Sequence, residues 1–63
     1  MEKITQDQWL VFDRNYWEKH KQFPDLRYGQ YFCSTFIIHN PDLFYRHDDV
    51  KNIIDFIFAN YVE

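Results

Sequence analysis

One cysteine, one glycine and two prolines are all that 63 residues contain of the residue types that staple, bend or interrupt a chain. A lone cysteine, Cys33, excludes an internal disulfide and a multi-cysteine zinc site, and it points to a reducing compartment. So little Gly and Pro excludes collagenous and low-complexity chains. No apolar run approaches the roughly 18 residues of a membrane span, and Met1 to Asp7 lack the apolar stretch of a signal peptide. A soluble, cytoplasmic protein with no membrane association is the expectation. Basic charge is scarce as well: 7 Lys and Arg face 10 Asp and Glu, a net charge of -3. Residues 1–31 hold 5 basic and 5 acidic side chains, and residues 32–63 hold 2 and 5. Nucleic-acid binding of useful strength requires several phosphate contacts, so this balance argues against it.

Aromatic residues are abundant instead, with seven Phe, five Tyr and two Trp. Ordering such a chain at roughly 1.5 kcal/mol per residue calls for burial of apolar surface on the order of 3,800 Å². Fourteen rings, at roughly 150 to 250 Å² each, can supply over half of that area. The core is therefore aromatic. A domain of this size cannot hide every ring, and aromatic side chains left at a surface favour protein interfaces.

The punctuation predicts an all-α fold: one domain over residues 1–63, built as a compact bundle of three to four short helices. Thr5 with Gln8 reads as a capping box that starts a first helix from about Gln6 to Lys21. Its last turn, Lys19-His20-Lys21, suits the helix dipole. Pro24-Asp25 opens a second helix from about Leu26 to Ile38, for which a short strand over Ser34 to Ile38 is the alternative. Asn40-Pro41 is a cap followed by a first-position proline, starting a short helical turn through Tyr45. Asp48 caps a last helix from about Asp49 to Tyr61.

At about 100° per residue, Trp9, Leu10, Phe12, Tyr16, Trp17 and His20 share one face of the first helix, and Val11 points away. On the second, Leu26, Gly29, Gln30, Cys33, Phe36 and Ile37 form the core stripe, with Gly29 and Cys33 leaving a notch for a ring of the first helix. Val50, Ile53, Ile54, Ile57 and Tyr61 form the core stripe of the last, with Phe56, Phe58 and Val62 off it. Tyr31 and Ile38 on the second helix, with Phe58 and Val62 on the last, sit where a lone bundle would carry polar side chains, and Arg27 shares the flank of Tyr31 and Ile38. They are the predicted interface residues.

Three groupings have a chemical reading. Asp13 lies within an aromatic face, where an unpaired carboxylate is too costly to persist, so it requires a partner among His20, Arg27, the tyrosine hydroxyls and the indole N–H groups. An Asp13–His20 pair could serve proton transfer. No nucleophile, glycine-rich loop or second carboxylate pair accompanies it, which favours a structural contact fixing how two helices meet. Gln30 reads likewise, as a buried amide bonded to backbone or to Asp13. His39, Asp42, His47, Asp48 and Asp49 carry ligand-type side chains in a spacing that matches no recognised metal pattern. Cys33, on the apolar stripe, reads as a small core residue. Arg14, Lys19, Lys21 and Arg27, interleaved with Tyr16 and Trp17, make only a thin basic patch. Neither an enzyme nor a cofactor is expected.

The segment Phe23-Pro24-Asp25-Leu26-Arg27-Tyr28-Gly29-Gln30-Tyr31-Phe32-Cys33, followed by Pro41-Asp42-Leu43-Phe44-Tyr45, resembles a loose family of short phage and prophage proteins of unassigned function. Its pattern is R-x-G-Q after an aromatic-Pro turn, then P-x-L-F/Y, and the likeness covers Phe23 to about Asp49. Tyr31 and Ser34 stand where that family often has alanine and asparagine. The resemblance implies a small accessory protein made during infection, in the host cytoplasm, which binds and alters a host component as an inhibitor of host or defence functions. The partner is then a host protein or, through a homodimer, a second copy. A nucleic-acid-binding regulator and a homo-oligomeric structural protein are the alternatives.

Overall fold

The computed structural model describes residues 3–63. Its four helices are α1 (Gln6–Gln22), α2 (Tyr28–Phe36), α3 (Pro41–Phe44) and α4 (Val50–Tyr61). The Cα radius of gyration, 10.8 Å, is close to the roughly 10.6 Å of a compact chain of this length. Although α2 has only nine residues, it packs on each of the other three helices. Its Tyr28, Gly29, Phe32 and Cys33 are all buried.

The helix starts follow local chemistry closely. The Thr5 hydroxyl accepts from the Gln8 backbone N–H at 3.1 Å, and the Gln8 carboxamide accepts from Thr5 N–H at 2.8 Å, completing the capping box. Asn40 caps α3 by accepting from Leu43 N–H at 3.2 Å, with Pro41 in the first turn. Two starts differ from expectation. Pro24-Asp25 is spent on a turn closed by Leu26 N–H on the Phe23 carbonyl at 3.0 Å, so α2 begins only at Tyr28, with Arg27 as an N-cap lacking a side-chain bond. Asp49, and not Asp48, is the N-cap of α4, and it also makes no side-chain cap bond. The Asp48 carboxylate is drawn away to Arg46, 2.8 Å distant.

The core is a cluster of rings, as the composition requires. Phe12 meets Tyr28 and Phe32 edge-on, each at 5.2 Å between centroids, and stacks on Tyr31 at 5.4 Å. Such pairs are worth about 0.5 to 1.5 kcal/mol beyond the area they bury. Leu43 of α3 and Ile53 and Ile57 of α4 complete this buried cluster. At the far end of the chain, α4 gives way to extended backbone at Val62, which forms a parallel bridge with Ile4. Both side chains are buried there.

Several face assignments change. Leu10 and Trp17, expected in the core, are 53% and 43% exposed, because α1 presents a narrower stripe than its apolar content suggested. Ile37, assigned to the core stripe, lies beyond the end of α2 and is 91% exposed. Gly29 faces α3 instead of a ring of α1: a Cβ at this position would collide with the Leu43 carbonyl oxygen. Among the described residues, no helix is long and apolar enough to cross a membrane.

Candidate functional site

The five predicted interface residues do not form one surface. Val62 is corrected outright. It is only 5% exposed, because extended backbone at the end of α4 turns it inward against Ile4. Phe58 is half-buried, its ring 4.7 Å from that of Trp9 in an edge-on pair that joins α4 to α1. A Phe58→Glu change would therefore attack the fold itself. Tyr31 is half-buried, stacked on Phe12, and borders a polar hollow with Asn15, Glu18, Lys19 and Gln22. Ile38 lines a groove at the corner between α2 and α3, and Arg27, at the opposite end of α2, reaches Tyr45 on the wall of that groove.

That corner holds an apolar groove of about 310 Å³, walled by Cys33, Ile38, Pro41, Phe44 and Tyr45, with Ser34, His39 and Asn40 as polar lining. Phe44 and Tyr45 meet edge-on at 4.9 Å. The Arg27 guanidinium lies over the Tyr45 ring at 5.8 Å, and its Nε donates to the Phe44 carbonyl at 3.4 Å. Arginine thus steadies a tyrosine that is itself 63% exposed. The Cys33 thiol is buried in the groove floor, where desolvation raises its pKa and the Asn40 backbone offsets part of the rise. It is an inert core group.

Beside the groove stands Ile37, at φ 55°, ψ 53°. Among the described residues it is the one non-glycine at positive φ. The geometry is a left-handed helix terminus: the Ile38 N–H donates to the Cys33 carbonyl at 2.9 Å. Glycine or asparagine normally occupies such a position, and a β-branched residue there is strained. Sequence reasoning missed this residue by running α2 two positions too far. The usable signal was the absence of any glycine between Phe36 and the Asn40-Pro41 cap.

The chemically suggestive carboxylate has a structural role in this geometry. Asp13 Oδ1 accepts from the Tyr28 hydroxyl at 3.0 Å and from Trp17 Nε1 at 3.2 Å. The Trp9 indole N–H lies near the same hydroxyl without meeting hydrogen-bond geometry, and its Nε1 is buried and unpaired among the described residues. His20 packs on Tyr16 and Trp17 and does not pair with Asp13. Gln30 is half-buried and is not a partner of Asp13 either. Among the described residues no three His, Cys, Asp or Glu side chains cluster as metal ligands would.

No protein-family model, no curated protein and no solved structure matches this chain. Its own geometry therefore carries the functional reading.

Burial, then the facing Asp13 carboxylate and the hydrogen bond to it, hold the Tyr28 hydroxyl well above the usual tyrosine pKa, and burial also raises that of Tyr16. A folded-state pKa above the unfolded value means that the native chain keeps a proton the unfolded chain has released. Stability is then complete below pH about 10 and falls as pH rises beyond it, by roughly 1.4 kcal/mol per pH unit for one such group. Urea midpoints should stay level from neutral pH to about 8.5, decline modestly as the unfolded-state thiol of Cys33 ionises, and drop more steeply above about 10, with a shallower drop above 10 in Tyr28→Phe. Equal slopes in the two proteins would show that Tyr28 is not the group responsible.

Proposed function

We propose that this chain is a small binding module without chemistry of its own, and that its partner is another protein, engaged at the corner between α2 and α3. One observation carries the reading: an isoleucine that is both strained at positive φ and 91% exposed, beside an apolar groove. Each feature costs free energy without a packing return in the isolated chain, and such outliers persist where they are used. The groove itself, walled by Phe44 and by a Tyr45 that is 63% exposed, adds the aromatic content that interface centres favour. The likeness to short phage and prophage proteins makes a host component the class of partner. The chain would act on it in the host cytoplasm by occupying a surface, as an inhibitor does.

The test uses Ile37→Asn, which relieves the strain. This variant should melt roughly 4 to 8 °C above the parent, from a gain of about 1 kcal/mol, because asparagine tolerates the left-handed region. The supporting result is a host protein captured by the parent at high salt and after nuclease treatment, and lost by the better-folded Ile37→Asn. Capture that survives the substitution would refute the assignment of the surface. Capture abolished by nuclease or by physiological salt would replace a protein partner with nucleic acid. A doubled mass by light scattering, removed by the same substitution, would make the partner a second copy.

A further inference from the structure

The groove and the paired chain ends meet through two side chains. Ile4 N–H donates to the Tyr61 carbonyl at 2.8 Å, and Glu63 N–H donates to the Ile4 carbonyl at 2.9 Å, so Tyr61 is part of the pairing. Its ring packs against Phe32, with centroids 5.7 Å apart, and its hydroxyl accepts from Asn40 Nδ2 at 2.9 Å. Asn40 in turn caps α3 through Oδ1, and its carbonyl accepts from Phe44 N–H at 2.9 Å. Pro41, Phe44 and Tyr45, carried by α3 and its C-cap, wall the groove. A four-residue helix has no stability of its own, so what holds α3 is what its ends and Leu43 touch.

We propose that Tyr61 is a latch between the two: pairing of Ile4 with Val62 keeps α3 docked, and opening of that pairing loosens the wall of the groove. The physical basis is a shared residue: Tyr61 gives its backbone carbonyl to the pairing and its hydroxyl to Asn40. When the pairing is closed, the Tyr61 backbone is fixed, and its hydroxyl holds Asn40 in the geometry that caps α3. When it opens, the end of α4 frays, and Asn40 loses the partner that orients it. Coupling of this kind is reciprocal, so loss of the latch must also weaken the pairing. The inference stands whether or not the groove takes a protein, since it concerns the mobility of α3 alone.

Residue-resolved amide exchange by NMR on the full chain tests it. Glu63→Pro removes the N–H that Ile4 accepts while leaving every buried side chain in place, and the extended backbone at Val62 suits a following proline. Exchange at Leu43, Phe44 and Tyr45 should accelerate roughly fivefold to tenfold, as loss of about one hydrogen bond implies, with buried amides of α1 and α2 little changed. In a Tyr61→Phe background, which keeps the ring, Glu63→Pro should add nothing further at α3. Tyr61→Phe alone should speed exchange at both α3 and Ile4. A uniform acceleration across all helices, an unchanged α3, or additive effects in the double variant would overturn the latch. If Glu63→Pro proves too unstable to measure, an Ile4 amide unaffected by Tyr61→Phe overturns it by itself.

Discussion

Gly29→Ala is expected to lower stability by roughly 2 to 3 kcal/mol, although alanine is the better helix former by about 1 kcal/mol. Gly29 is the second residue of α2, and the added Cβ would be driven into the Leu43 carbonyl oxygen, with the carbonyl carbon and Leu43 Cδ1 each at 3.1 Å. A side-chain atom can swing aside; a backbone carbonyl can move only if the whole of α3 moves with it. Leu43 is fully buried, and Asn40 and Tyr61 tether the helix, so that movement would break the cap and open the core. The midpoint of thermal unfolding should fall by about 10 to 20 °C for a domain of this size. Gly29→Leu should fall further. A midpoint equal to or above that of the parent would show that α3 gives way freely and that helix propensity decides.

Asp13→Ala should cost about 1 to 3 kcal/mol, read as a shift in the urea midpoint. The loss comes mainly from Tyr28, whose hydroxyl is buried and would lose its acceptor. Trp17 is exposed, and its indole N–H can turn to water instead. A second substitution separates the causes. With Tyr28→Phe in place there is no orphaned hydroxyl, so Asp13→Ala should become nearly neutral, and the two changes together should cost less than their sum. An unchanged midpoint in Asp13→Ala alone would mean that solvent already satisfies Tyr28.

Asp13 also shows how far a sequence can be read. Its place among rings required a partner, and tyrosine hydroxyl and indole N–H were among the candidates. Choosing Tyr28 and Trp17 over His20 needed the angle at which α2 crosses α1, which no local pattern encodes. Thr5 with Gln8 and Asn40 with Pro41 were legible because a capping interaction closes within three residues and depends on nothing farther away. Asp48 misled because its carboxylate was free to choose Arg46 over the helix it precedes.

The interface was legible only in part. Ile38 lines the α2–α3 groove and Arg27 reaches its Tyr45 wall, but Phe44 and Tyr45 form that wall, Val62 is buried, and Phe58 packs on Trp9. Val62 was placed by continuing the angular pattern of α4, which fails once the backbone becomes extended and pairs with Ile4, 58 residues away in the chain.

From its sequence alone this protein is an all-α bundle with an aromatic core. Four capped or punctuated segments and fourteen rings in 63 residues leave few other ways to bury enough apolar surface. Tertiary structure alone decided which side chains face outward. Exposure at the end of a short helix depends on the residue at which the helix stops. In α2 that point is the left-handed turn at Ile37, a conformation that a β-branched residue disfavours, so packing between segments and not local preference decides it.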